Sequence, residues 1–315
     1  MFRKIFKSWF LGIVVFPFSL IAQNFTVSGT VKDGSNGETM ISAMIYTADG
    51  NYGTATNVYG YYALELPAGK HTLLFNYSGF ETLTKEIDVS ESIKINVELQ
   101  PQAEQIDVVV VKGKRATDNF KKIEMSTIEL DVKKIEKIPA LLGEADVVKS
   151  VQLMPGVSTV GEGATGFNVR GGGVDQNLIL LDEAPVFNSS HLFGFFSVFN
   201  PDAVKNVKLI KGGIPAEYGG RLSSVLDIRM KEGNSKKLSG QGGIGALFSR
   251  LSIEAPIIKD KASFIIAGRR SYADVLAKPF LNEDFKDSKF YFYDLTSDLY
   301  QMNQLHSPNV FLILI

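Results

Sequence analysis

The chain has 315 residues, 45% of them hydrophobic, which is sufficient for about two or three domains with ordinary packed cores. Its 33 lysines and arginines nearly balance its 34 aspartates and glutamates, so the sequence offers no basic field for nucleic acid. Cysteine is absent, which excludes disulfides, thiolate metal sites and a catalytic thiol.

The first 22 residues have the pattern of an export signal. Three basic side chains precede the apolar run 9–21, and Ala22 supplies a small residue at a cleavage point. The alternative is a membrane anchor, but the run has only about 13 residues and contains Pro17, whereas a spanning helix needs about 20. We therefore predict a signal peptide over residues 1–22 and an exported protein.

Residues 24–100 alternate short apolar runs with turn residues at a spacing of about ten residues, which predicts a small antiparallel β-sandwich. Alternation in one of these runs places Tyr62, Leu64 and Leu66 on one face of a strand. Residues 29–82 resemble the carboxypeptidase regulatory-like, transthyretin-like sandwich found at the start of many outer-membrane receptors. The resemblance implies a binding or spacer module and identifies no ligand.

Residues 101–119 are predicted to be a linker that contains one β-prone segment. Residues 106–110 favour extended chain, because β-branched residues dominate, and an extended segment can add to the sheet edge of another protein. The residues alone also allow a last strand of the sandwich. The segment resembles the TonB box of TonB-dependent receptors. That resemblance implies pairing with periplasmic TonB through Ile106, Asp107, Val108, Val109 and Val110.

Residues 120–232 have the mixed pattern of a compact α+β domain. Residues 126–139 predict a strand and a turn, and Leu141, Ala145, Val148 and Leu153 recur at helical spacing. Further on, Asn200 is a predicted N-cap before a proline at the first helical position, followed by one helical turn and a strand.

Three consecutive glycines follow Arg170 and precede the apolar run LILLD. Gly171, Gly172 and Gly173 permit positive φ and close backbone approach, and we expect LILLD to be the central strand that anchors the loop. Just upstream, residues 161–166 match G-x-G-x-x-G. A dinucleotide site needs a helix after the third glycine, whereas FNVRGGG predicts a strand, so we reject a nucleotide site.

Residues 156–188 and 191–231 resemble the plug domain of TonB-dependent outer-membrane transporters. The resemblance implies a plug inside a 22-stranded barrel, with plug arginines that meet acids on the barrel wall. By motif match these are Arg170, beside Gly171 and Gly172, and Arg221. Arginine suits the role because its planar fork can engage a carboxylate bidentately. Without the resemblance, the alternative interpretation is that both arginines are ordinary surface charges.

Other candidate site residues have structural interpretations. His71, His191 and His306 match no metal spacing. Asp182 and Glu183 are adjacent at a strand end, so their side chains should diverge, unlike a general acid and base. Four phenylalanines are interpreted first as core or interface residues: Phe193, Phe195, Phe196 and Phe199.

Residues 233–315 contain strand-length segments of about ten residues, two of which are joined by a short turn at residues 258–261. They resemble the first strands of a receptor barrel. About 80 residues provide about four strands, whereas the smallest barrels need about eight. Residues 304–315 depart from the alternating pattern. We expect a chain truncated at the start of the barrel, with aggregation-prone edges.

The sequence therefore predicts a mixed β and α+β protein: a sandwich, a TonB-box-like linker, a plug and the first strands of an incomplete transmembrane β-barrel. The predicted function is TonB-dependent uptake of a ligand through the outer membrane, with no catalytic residues, metal or cofactor. The alternative is a soluble periplasmic binding or signalling module made of the sandwich and the plug. Glycans, peptides, metal chelates and cobalamin all remain possible ligands.

Overall fold

The computed structural model describes residues 24–102, 126–135, 145–161, 163–191, 194–245, 247–272, 275, 278–280 and 291–301. The predicted signal peptide, the segment 106–110 and residues 302–315 lie outside these ranges. Three bodies follow one another along the chain: the sandwich, the middle domain and the C-terminal sheet. The domain boundaries drawn from the sequence stay predictions.

The sandwich contains eight strands. They are β1 (Asn24–Asp33), β2 (Met44–Thr47), β3 (Gly53–Ala55), β4 (Tyr61–Pro67), β5 (Gly69–Asn76), β6 (Leu83–Val89), β7 (Ile93–Lys94) and β8 (Val97–Leu99). One sheet has the order β4-β1-β7, with β8 also paired to β1, and the other has the order β3-β2-β5-β6.

The sandwich corrects one expectation. Strand β1 pairs in parallel with both β7 and β8, so the sheet is not purely antiparallel. The chain crosses from the second sheet back to the first between β6 and β7, and such a crossover can bring a strand back in the parallel direction. The predicted alternation in β4 is confirmed, because Tyr62, Leu64 and Leu66 are buried in the sandwich core.

In its described residues the middle domain contains nine strands and two short α-helices. They are β9 (Thr127–Asp131), α1 (Val132–Ile135), α2 (Val147–Gln152), β10 (Val157–Thr159), β11 (Phe167–Val169), β12 (Asn177–Leu181), β13 (Ala184–Pro185), β14 (Ser190–His191), β15 (Phe196–Ser197), β16 (Val204–Ile210) and β17 (Ser224–Met230). Five strands form one mixed sheet in the order β13-β12-β17-β16-β9.

The centre of this sheet is β17, which corrects the expectation for LILLD. Strand β12 lies one place from the edge and pairs with β17 in parallel, from Asn177 opposite Ser224 to Leu181 opposite Ile228. Every residue of β17 except Arg229 is buried, whereas β12 has partly exposed positions. LILLD is apolar enough for a central strand, but on its outer side β13 pairs only with Leu180 and Leu181.

The helical prediction is partly wrong. Helix α2 has only six residues, begins after the N-cap Asp146 and ends before Leu153, which is 66% exposed. Leu141 lies outside the described residues. The second prediction is confirmed, since the Asn200 side chain accepts a hydrogen bond from the Asp202 backbone N–H at the start of a 3₁₀ turn over Pro201–Ala203, directly before β16.

The C-terminal sheet has four antiparallel strands: β18 (Ser239–Ile244), β19 (Phe248–Ile258), β20 (Ala262–Ser271) and β21 (Tyr293–Gln301). The predicted short turn lies between β19 and β20, where Asp260 has φ 61°. Two residues of β20, Ile265 and Ala267, belong to the core of the middle domain. The C-terminal sheet therefore packs one face on that domain.

Candidate functional site

The triple-glycine loop lies at one end of the five-stranded sheet. Only Gly171 among the three glycines has positive φ, 82°, and it follows Arg170, whose φ is 49°. Gly173 has φ −73°. Gly172 instead allows the backbone to pass close to Ser223, because a Cβ at this position would lie 2.4 Å from Ser223 Oγ. Of the two properties expected of these glycines, positive φ is observed at Gly171 and close backbone approach at Gly172.

Ser223 fastens this loop to the segment that carries Arg221. Its Oγ donates to the Val169 carbonyl at 2.8 Å, and its backbone N–H donates to the Gln176 carbonyl at 2.9 Å. The structure thus brings the two segments with the predicted wall-contacting arginines together. Both arginines are exposed, and Arg170 Nη2 donates to Ser126 Oγ at 3.0 Å. In the described part of the chain neither forms an ion pair, so their role as wall contacts stays a prediction.

A buried charged cluster joins the middle domain to the C-terminal sheet. His191 Nε2 lies 2.5 Å from Asp294 Oδ1, and Arg269 Nε donates to Asp294 Oδ2 at 2.8 Å. Arg269 Nη2 also donates to the Ser197 carbonyl at 2.7 Å. The side chains of His191, Asp294 and Arg269 are 6%, 0% and 2% exposed. Ionic groups this deep must be paired, because an isolated buried charge is costly.

Aromatic rings close around this cluster. The His191 ring stacks on Phe292 with centroids 4.4 Å apart, and the Arg269 guanidinium lies 5.1 Å from the centroid of the same ring. Phe196 and Phe248 complete a buried group with Phe292. Phe196 therefore matches its interpretation as an interface residue. Phe199 is also buried, Phe195 is 50% exposed, and Phe193 lies outside the described residues.

A second ion pair crosses the same interface. Arg250 Nη1 on β19 donates to Asp202 Oδ1 at 2.9 Å, and the Asp202 side chain is only 3% exposed. Burial raises the pKa of Asp202, and the positive charge of Arg250 acts against this rise. In this pair the arginine is on the C-terminal sheet and the acid is on the middle domain, which is opposite to the polarity expected for Arg170 and Arg221. In the first cluster Arg269 and Asp294 are both on the sheet, and the middle domain contributes His191.

Sequence reasoning missed Arg250, Arg269 and Asp294. A usable signal was present in β20, where Arg269 shares the phase of Ile265 and Ala267 and should therefore face the same core. Its partner could not be inferred, because Asp294 is 25 residues away and His191 is 103 residues from Asp294.

Asp182 and Glu183 form the two-residue turn between β12 and β13, with φ values of 45° and 72°. Both values are positive, as in the primed turns that match strand twist. Asp182 Oδ1 accepts a hydrogen bond from the Met230 N–H at 3.1 Å, while Glu183 Oε1 lies 3.1 Å from Arg229 Nη1. Burial raises the pKa of Asp182 to about 6, although the Met230 hydrogen bond and Arg229 act against the rise. The two carboxyls have different partners, consistent with a structural role in ending the strand.

The remaining motifs have structural surroundings. The residues after Gly166 form β11, an extended strand, as predicted for the rejected nucleotide motif. His71 Nε2 lies 2.8 Å from the Pro67 carbonyl, and His306 lies outside the described residues. Among the described residues, no group of three histidines or acids is arranged to hold a metal ion. In the same residues, no helix has both the length and the apolar character needed to cross a membrane.

Comparison with known families accounts for the first two bodies. Residues 27–111 match the CarboxypepD_reg-like domain, and residues 122–224 match the TonB-dependent Receptor Plug Domain. The chain contains a TonB-dependent receptor plug domain. The middle domain is therefore called the plug from here on, and the resemblances to the carboxypeptidase regulatory-like sandwich and to the plug are confirmed.

Two relatives that are named TonB-dependent receptors support this identification. The chain is 34% identical over 109 residues to TonB-dependent receptor P3 of Formosa agariphila, a match covering 33% of the chain and 11% of the relative. It is 28% identical over 207 residues to TonB-dependent receptor P26 of the same organism, covering 62% of the chain and 19% of the relative. The matches thus span a fifth or less of these relatives. The siderophore receptor PirA from Pseudomonas aeruginosa aligns over 58% of the chain and 32% of its own, with 20% identity and a TM-score of 0.41.

Proposed function

We propose that the protein to which these domains belong is an outer-membrane receptor that takes up a ligand with energy delivered through TonB, and that the plug gates the path. The plug match and the relatives' names support this proposal. The observation that carries it is the two-faced character of the C-terminal sheet, which has a buried face on the plug and an apolar exposed face.

The two faces alternate residue by residue. On β20, Ile265 and Ala267 pack into the plug core, while the intervening Ile266 is 46% exposed. On β21, Leu295 and Leu299 are 37% and 46% exposed, whereas Thr296 and Asp298, which face the other way, are buried. Apolar residues outside and polar residues inside are the pattern of membrane strands, so we assign the exposed face to lipid.

The connections between strands support a periplasmic position for the sandwich. Strands β19 and β20 are joined by residues 259–261, whereas β20 and β21 are separated by residues 272–292. Outer-membrane barrels have short periplasmic turns and longer outer loops. The short turn lies on the sandwich side, because the Asp260 N–H donates to the Ser235 carbonyl and the Ser235 N–H donates to the Asn36 carbonyl, both at 2.9 Å.

Beside the apolar contacts of Ile265 and Ala267, the plug–sheet interface contains polar pairs of the kind proposed for a gate. His191 and Asp202 on the plug face Asp294 and Arg250 on the sheet. A polar contact of this kind separates more readily than an apolar core, because water can solvate the separated ions. Arg170 and Arg221, at the other end of the plug sheet, are proposed to meet acids on further parts of the wall.

Residues 106–110 are proposed to pair with the periplasmic part of TonB, and residues 1–22 to direct export. Ligand, membrane and TonB are the partners of this proposal, and no catalytic step or resident cofactor belongs to it. A pull-down of the chain with the periplasmic part of TonB tests the pairing. Val109→Pro should abolish capture, since proline removes a backbone donor, while Val109→Ile should preserve it. Equal capture of both variants would refute the assignment.

A further inference from the structure

The segment between β17 and β18, residues 231–238, is called the connector. Two of its backbone amides find their acceptors in the sandwich. The Glu232 N–H donates to Glu38 Oε1 at 2.9 Å, and the Ser235 N–H donates to the Asn36 carbonyl at 2.9 Å. Detaching the sandwich would therefore expose connector amides that are now satisfied by another domain.

The opposite side of the connector contacts β20. Ser263 Oγ donates to the Glu232 carbonyl at 2.7 Å, and a Cβ at Gly233 would lie 2.5 Å from the Phe264 carbonyl oxygen. Gly233 has φ 79°, so glycine is favoured at this position both by conformation and by the close approach. The connector is thus layered between the sandwich and the C-terminal sheet.

A shared charge network holds the three bodies at this point. Lys205 Nζ on the plug donates to Glu232 Oε1 at 2.9 Å and to Thr39 Oγ1 at 3.1 Å. The Thr39 N–H donates to Glu232 Oε2 at 3.0 Å. Burial alone would raise the pKa of Glu232, but Lys205 and the hydrogen bonds from Thr39 outweigh it and lower the pKa. The sandwich therefore helps to keep Glu232 ionised.

The sandwich and the plug share no apolar core in the described residues. The sandwich cluster contains only sandwich residues, whereas the plug cluster includes Ile265 and Ala267 of β20. Hydrogen bonds exchanged with water add little net free energy each, and polar contacts between domains resemble transient interfaces. The sandwich contact should therefore open at a lower cost than the contact between plug and C-terminal sheet.

We propose that the sandwich docks reversibly on the connector and, while it is docked, holds the connector in one conformation. Docked, it fixes the connector between Thr39 and β20 and ties it to Lys205 of the plug. Detached, it frees the connector while the plug core and β20 stay together. This inference stands on the interface itself and does not depend on transport or on TonB.

Amide hydrogen exchange of the whole chain under increasing denaturant tests the order of opening. The amides of Glu232 and Ser235 should lose protection at a lower denaturant concentration than the Leu226 amide in β17. If all three amides lost protection at the same denaturant concentration, the proposal would be overturned, because the sandwich and the plug would then open as one unit.

A charge variant and its control sharpen this test. Lys205→Met leaves Glu232 and Glu38 without the ammonium group, so protection at Glu232 and Ser235 should fall about tenfold or more while Leu226 keeps its rate. Lys85→Met, at an exposed lysine of β6, should change the exchange rate of none of these three amides. Equal loss at Leu226 would contradict the proposal.

A cross-link gives a readout that does not depend on how that variant folds. The chain has no cysteine, and a Cβ at Gly37 would lie 3.4 Å from the Ser235 Cβ, close to the separation of about 3.5–4.5 Å in disulfides. Oxidised Gly37→Cys/Ser235→Cys should slow exchange at Glu232 about tenfold or more relative to its own reduced form. Identical rates in both forms would overturn the proposal.

Discussion

His191 on the plug and Asp294 on β21 are joined by a contact of 2.5 Å between Nε2 and Oδ1, in a place where neither side chain is more than 6% exposed. Asp294 also accepts from Arg269, so one carboxylate serves two strands and the plug. The position of the plug against the C-terminal sheet therefore depends strongly on this carboxylate.

Replacement of Asp294 should cost more than the loss of an ordinary ion pair. Asp294→Ala leaves Arg269 buried without its carboxylate, so we expect the free energy of unfolding to fall by about 3–5 kcal/mol. Asp88→Ala, at an exposed acid of β6, should change it by less than about 0.5 kcal/mol. Urea unfolding in detergent, followed by circular dichroism, measures both. Similar midpoints for the two variants would show that the cluster is not stabilising.

Asp182 should make stability depend on pH in the direction opposite to most acids. Its pKa in the folded chain is about 6, above the usual 3.8. Its contribution is therefore fully favourable below about pH 4 and is lost as pH rises through 6. Asp182→Asn keeps an acceptor for the Met230 N–H and should stabilise the chain at pH 7 by up to about 3 kcal/mol, with no gain at pH 4.

The measurement for Asp182 is urea unfolding of both chains from pH 4 to pH 7.5. Asp175→Asn, at an exposed loop acid, is the matched control and should show no such trend. A constant difference between Asp182→Asn and the parent across this range would contradict the assignment.

Patterns within one segment predicted local structure well. The burial of Tyr62, Leu64 and Leu66 follows from period-two alternation, and the Asn200 cap follows from a proline at the first position of the turn. These features depend on neighbours in the chain. Their physical causes are therefore fully present in a short stretch of sequence.

Features set by distant partners could not be predicted in the same way. The parallel pairing of β1 with β7 depends on how the chain crosses between sheets, and LILLD is off-centre because one strand lies on one side of it and three lie on the other. The pairing of His191 with Asp294 joins residues that are 103 positions apart. No local pattern encodes the partner of a buried charge, although strand phase does indicate which charges are buried.

Gly172 and Gly171 should respond differently to alanine. Gly172→Ala places a Cβ 2.4 Å from Ser223 Oγ and 2.7 Å from its Cβ, and overpacking of this kind costs about 1–3 kcal/mol. Ser223→Gly in the same chain removes both contacting atoms and should recover part of that loss. Gly171→Ala has no atom within 4 Å and should cost about 1 kcal/mol through its positive φ, with no recovery from Ser223→Gly.

A double-mutant cycle by urea unfolding measures this coupling. A coupling near zero between positions 172 and 223 would show that the glycine is not needed for the close approach.

Neighbouring residues of β21 should differ in their contact with lipid. Trp9 is the only tryptophan of the chain, so a Trp9→Phe background permits single probes. In vesicles with brominated acyl chains, fluorescence from Leu299→Trp should be quenched strongly. Tyr300→Trp, one residue further and on the plug side, should be quenched much less. Equal quenching at the two positions would refute the assignment of the exposed face to lipid.

Lys205 Nζ of the plug donates to Thr39 Oγ1 of the sandwich at 3.1 Å, and such polar contacts close the two domains and the chain between them into a ring. The sandwich and the plug touch each other there and are also joined covalently by residues 103–125, so tension applied within that segment divides between two arms. While the ring is intact, the sandwich bears part of the load and the edge strand β9 bears the rest. Once it opens, the whole load passes to β9, which gives the molecule a threshold below which a pull leaves the plug in place.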